Sequence, residues 1–150
     1  MPRIVEQPDD ADARSDALYG AWLSGVCLGT AGMALHHKLC HVLGGMFNLP
    51  HAETHSTVLP HAVAYNAEAA PKVGAVLGRV MGGEPGASAL FDFAGKLGIA
   101  RALRDIGMPE SGIAAAEAAS SDPYWKPRPV IHAGVLALLT RAWAGESPAA

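Results

Sequence analysis

The sequence predicts an all-α, helical bundle-like domain. Apolar residues recur at three- and four-residue spacing along most of the chain, alternating strand patterns are nearly absent, and glycine and proline fall between the periodic stretches. Residues 1–14 read as an irregular lead-in segment and residues 15–146 as one domain of six to eight helices, with no internal repeat. Ser15 is a plausible N-cap, after which Leu18, Trp22, Leu23 and Val26 begin an apolar stripe. Gly25, Gly29 and Gly32 predict close helix packing or a break near Gly29–Gly32. Met33 to Leu43 reads as the next helix, with Met33, Leu39, Cys40 and Leu43 apolar and Gly44-Gly45 as its stop. Pro50 opens the helix HAETHSTVLPHAVAYN, and Pro60 inside it predicts a kink or a division. Residues 71–82 and 86–97 form two further helices around the turn GGEPG, and IARALRDIG is a short helix ended by Gly107. Ser111 to Ala119 is a weaker helical stretch, DPYWKPRP a proline-bounded loop, and VIHAGVLALLTRAWAG an amphipathic closing helix.

Composition sets the outer limits. The chain has 150 residues, 50% hydrophobic and 17% charged, which suits a globular domain with its own core. A net charge of −3 gives no basic face for nucleic acid, so none is expected as a partner. No apolar run reaches the roughly 20 residues that span a bilayer, so no membrane partner is expected either. The opening MPRIVEQPDDADARSD lacks the apolar core of a secretory signal. Cys27 and Cys40 make no disulfide framework and read as reduced thiols, so the expected location is cytoplasmic.

Histidine is the unusual component. Of 7 histidines, all but His132 fall between positions 36 and 61. His37 and His41, four residues apart on one helix, sit about 40° apart around its axis. His36 is expected to point elsewhere. An antiparallel return across Gly44-Gly45 and Pro50 brings His51 back beside the pair, and His55 shares its face. Three or four imidazoles lining one cavity suit a divalent transition metal such as iron or zinc. Single histidines such as His36, His61 and His132 more often lie on a surface or in a bonded core. HAETH places its glutamate one residue away from the zinc-protease H-E-x-x-H pattern. The H-A-E triplet lacks the P-C-x-x-C that zinc deaminases need, and no haem, Walker or G-x-G-x-x-G motif is present.

Residues 36–66, HHKLCHVLGGMFNLPHAETHSTVLPHAVAYN, resemble the iron-containing alcohol dehydrogenase family. The family's spaced histidines, glycine, Pro-His pair and L-P-H-x-x-x-Y-N ending match His37, His41, Gly44, Pro50-His51, Leu59-Pro60-His61 and Tyr65-Asn66. Leu35-His36-His37-Lys38, HAETH and PYWKPRP look like the maleylacetate reductase branch, and a looser likeness runs from about residue 3 to residue 145. The resemblance implies the dehydroquinate-synthase-like C-terminal metal-site domain of these enzymes. It implies His37 and His51 as ligands of Fe2+ or Zn2+, with His41 beside the metal near nicotinamide and substrate. His36, His41 and Lys38 are the candidate catalytic residues, and His55 and Arg128 candidate contacts for an anionic substrate.

The implied activity is reduction of the carbon–carbon double bond of maleylacetate to 3-oxoadipate, with NADH or NADPH, late in aromatic-ring degradation. The substrate is a small dicarboxylate. Family members run to more than twice this length, and their α/β dinucleotide-binding half, which carries two further metal ligands, has no counterpart here. The expected partner is therefore that N-terminal half or a second copy in a homodimer. By itself the chain is expected to be inactive. Two readings compete with a reductase half: a small helical metal-binding module, and an inert remnant whose exposed interdomain surface is apolar.

Overall fold

The computed structural model describes residues 2–81, 85–115, 118–119, 121 and 126–149. Among these every regular element is helical: α1 (Pro2–Glu6), α2 (Ala11–Thr30), α3 (Leu35–Phe47), α4 (His51–Asn66), α5 (Pro71–Met81), α6 (Gly86–Lys96) and α7 (His132–Ala144). Two 3-10 turns, Leu103–Ile106 and Glu110–Ala115, lie between α6 and α7. Residues 82–84 of the GGEPG turn and 122–125 of the proline-bounded loop lie outside the described residues. No single described helix is long and apolar enough to cross a membrane.

The chain divides into two compact units, Met1–Met33 and Ala34–Ala150. In the first, the expected irregular lead-in is helical. Asp10, not Ser15, caps α2: its carboxylate accepts the Ala13 N–H at 3.0 Å and pairs with Arg3 at 2.6 Å. These bonds hold the Asp10 carboxyl below its usual range, the Ala13 amide contributing most. Asp10 does what the sequence assigned to Ser15 because Arg3, seven residues back, fixes its side chain. The predicted apolar stripe forms, but it is not buried. Of α2 only Ala13 is buried, while Leu18, Tyr19, Trp22, Leu23, Val26 and Leu28 are exposed. The helix ends at Thr30, and Gly32 follows with φ +46°, at the predicted break.

The second unit is built around α4, which packs on α3, α6, α7 and the first 3-10 turn, while α5 packs on α6. Leu39, Leu43, Val58, Leu103, Val135 and Leu139 are the largest of its fully enclosed apolar side chains. Burying a leucine contributes about 1.5–3 kcal/mol, and this explains two departures from the sequence reading. The predicted stop at Gly44-Gly45 fails, because α3 carries Leu43 into the core and Phe47 against it. That packing offsets a cost of about 1 kcal/mol per mid-helix glycine. The helix instead ends at Asn48, which takes the left-handed conformation at φ 50°. Pro60 likewise lies inside one continuous α4 and is itself buried. Thr57 ties that helix to Ala100 O at 3.0 Å.

Candidate functional site

The histidines converge where α3 meets α4. His36, His37 and His41 come from α3, His51 and His55 from the first turns of α4. The Asn48–Pro50 connection is short, so α4 starts close to the end of α3. His55 stands at the centre, its ring centroid 4.9 Å from His36, 5.2 Å from His37 and 4.2 Å from His51. His37 lies 5.2 Å from His36 and 6.2 Å from His41. The predicted convergence of His37, His41, His51 and His55 is present in this geometry. His36, expected to point elsewhere, is in the cluster as well. Its Nε2 donates to the backbone carbonyl of His55 at 3.0 Å, a bond across two helices that the spacing of α3 alone does not show.

Three of the five rings, His36, His37 and His55, are held toward the neutral form. Burial lowers His36, with His37 adding to the effect and the His55 carbonyl opposing it. Burial likewise lowers His37, with His41 and His51 contributing. His55 is pushed down to about 4, first by burial and then by His36, His51, His37 and His41. Its Nε2 is enclosed and has no hydrogen-bond partner among the described residues. Neutral imidazoles with unused lone pairs are what a divalent ion needs, so the residues present fit a metal.

Cys40 is the residue that sequence reasoning missed. Read as a spare thiol, it lies one helical turn after His36, and one ligand atom each from His36, Cys40 and His55 fall within 4.8 Å of one another. Burial pushes its thiol up to about 12. The four-residue spacing of His36 and Cys40 was the available signal. Lys38 is half-buried and His41 exposed on α3.

Arg128 is not in the cluster. Its guanidinium donates to Tyr65 O at 2.9 Å, stacks on the Tyr65 ring at 4.9 Å and pairs with Glu68 at 3.8 Å. Tyr65 closes the helix that His51 opens, a separation of roughly 20 Å at 1.5 Å per residue. Arg128 lines a different cavity of about 430 Å³, with His61, Tyr65, Gly134, Leu138 and Arg141. His61 is buried there against Phe91, and His132 is exposed at the start of α7.

Residues 1–143 match the family model described as Fe-containing alcohol dehydrogenase family, C-terminal. The chain belongs to the iron-containing alcohol dehydrogenase family. It corresponds to the C-terminal part of these proteins. A maleylacetate reductase of Sphingobium indicum is 50% identical over 149 residues, covering 99% of this chain and 42% of the relative. One of Rhizobium sp. strain MTP-10005 is 48% identical over the same length. The crystal structure of maleylacetate reductase from Agrobacterium tumefaciens superposes with a TM-score of 0.93 at 48% identity, over 98% of this chain and 42% of that one. An iron-containing alcohol dehydrogenase from Corynebacterium glutamicum gives 0.90 at 41% identity, over 99% and 42%. The chain thus spans less than half the length of these relatives, and its all-helical fold is that of their C-terminal domain.

Proposed function

We propose that this chain is the metal-site part of a maleylacetate reductase-type oxidoreductase, which reduces maleylacetate to 3-oxoadipate with NADH or NADPH. The observation that carries the reading is the close-packed histidine cluster between α3 and α4, at the family's spaced-histidine positions, in a chain 50% identical to such a reductase.

His37 and His51 would hold a divalent ion, Fe2+ or Zn2+, which when bound supplies Lewis acidity toward a substrate oxygen. Hydride addition to the double bond moves an electron pair onto the adjacent ketone as an enolate, which must then take a proton on carbon. His41, exposed beside His37, is the proton donor in this reading. Lys38 faces the dicarboxylate as a cation, while the Nε2–H of His36 is already given to the His55 carbonyl. The position of Arg128 at the far end of α4 removes it from this site. The nicotinamide cofactor is bound mainly by a dinucleotide-binding N-terminal half in this reading, in line with the match to the family's C-terminal domain. The partner in this reading is that N-terminal half or a second copy in a homodimer.

The test is NADH oxidation with maleylacetate. The chain by itself gives no steady turnover. Co-expressed with the dinucleotide-binding half of a relative it does, and His41→Ala lowers kcat more than it raises KM. Turnover of simple alcohols without maleylacetate reduction by the complemented protein would overturn the substrate assignment.

A further inference from the structure

We propose that His36, Cys40 and His55 form a second metal site, taking a thiophilic divalent ion such as zinc, separate from the His37–His51 pair. The first ground is placement. His36 and Cys40 occupy successive turns of one face of α3, and His55 reaches the same point from α4. One donor atom from each lies within 4.8 Å of the other two. With Zn–N near 2.0 Å and Zn–S near 2.3 Å, donors around a tetrahedral ion stand roughly 3.5 Å apart. Closing the site therefore takes side-chain shifts of about an ångström and no movement of the helices.

The second ground is what the groups lack and what already orients them. His55 Nε2 is enclosed with no hydrogen-bond partner among the described residues, and an orphaned buried nitrogen is costly unless something engages it. His36 donates its Nε2–H to the His55 carbonyl, which leaves Nδ1 as the lone pair of that ring. A ring N–H fixed on a backbone carbonyl is the usual support of a ligating histidine. Third, the donor set has its own chemistry. Two imidazoles and one thiolate select a borderline or soft ion, whereas His37 and His51 offer nitrogen alone. On binding, the Cys40 thiol loses its proton to solvent and the sulfur becomes the thiolate ligand; nothing is oxidised or reduced. Three protein donors leave a fourth position open.

Cobalt(II) reports on this directly, because a thiolate ligand gives a charge-transfer absorption in the near ultraviolet and an all-nitrogen site does not. The metal-free 150-residue chain is titrated with Co2+, with far-UV circular dichroism recorded in parallel. One equivalent should develop the thiolate band, Zn2+ should abolish it, and Cys40→Ser should remove it. His55→Gln should weaken Co2+ binding at least tenfold. Cys27→Ser and the double variant His37→Ala/His51→Ala should keep the band. If Cys40→Ser fails to fold, His36→Gln serves as the second variant and should also weaken binding at least tenfold. Absence of the band in the unaltered chain, its survival in Cys40→Ser, or its loss in Cys27→Ser would each overturn the proposal. Co2+ binding that lacks the band and depends on His37 would mean that only the nitrogen pair binds metal.

Discussion

Acidification should destabilise the unit Ala34–Ala150 through His61. Its side chain is 3% exposed, packs edge-on against Phe91, and leaves Nε2 without a hydrogen-bond partner among the described residues. Burial, with a smaller effect from the Arg141 guanidinium, pushes it from 6.5 down to about 4. The unfolded chain therefore takes up a proton near pH 6.5 and the folded one only near pH 4. Between those values the unfolded state binds more protons, so stability is full above pH 6.5 and falls as pH drops toward 4. At about 1.4 kcal/mol per pH unit the loss accumulates to about 3 kcal/mol. That is a large share of the roughly 5–15 kcal/mol that holds a domain together. Urea unfolding followed by far-UV circular dichroism at pH 7, 5.5 and 4.5 measures it, for the parent chain and for His61→Leu. His55 has the same sign, so the parent's slope is a sum, and only the difference between the two proteins isolates His61. That difference should shrink by about 3 kcal/mol across the range. Parallel curves for the two proteins would refute the assignment.

Three further outcomes test the packing. Gly44→Ala should raise the urea midpoint, by about 0.5–1 kcal/mol at unchanged m, because the added Cβ meets nothing within 4 Å in the interior of α3. A fall would mean that α3 stops at the glycine pair after all. Gly134→Ala should cost about 1–3 kcal/mol, since its Cβ would stand 2.7 Å from Tyr65 Cε2 and displace a ring whose hydroxyl donates to Pro129 O and accepts from Ile131 N. Asp10→Ala should cost helix α2 about 1 kcal/mol, seen as lower helicity in a peptide spanning residues 1–33, whereas Ser15→Ala should leave it unchanged.

The helical class was legible because its evidence is local. Apolar spacing, Pro50, Pro71, Gly107 and Gly145 sit at or beside the ends they predict. What was not legible depends on contacts distant in sequence. Asp10 outranks Ser15 as a cap through Arg3, and Gly44-Gly45 fails as a stop because Leu43 and Phe47 are drawn inward. The apolar residues of α2 were legible in the sequence, but their exposure was not. Periodicity reports that a face is apolar, not what covers it. The same limit governed the site: His37, His41 and His51 followed from spacing, while the place of His36 needed the carbonyl of a residue nineteen positions away.

The closeness of the histidines constrains what they can do. Five imidazoles whose neighbouring centroids lie 4.2–6.2 Å apart cannot all be protonated, since each charge raises the cost of the next. Burial takes the same side, and His55 at the centre is lowered to about 4. His36, His37 and His55, all lowered, are therefore a source of lone pairs rather than a cationic patch. A divalent ion gains from that state directly, because it ligates the unprotonated form of a ring. A dicarboxylate does not, and it must find its full positive charge in Lys38, in the metal or outside this chain.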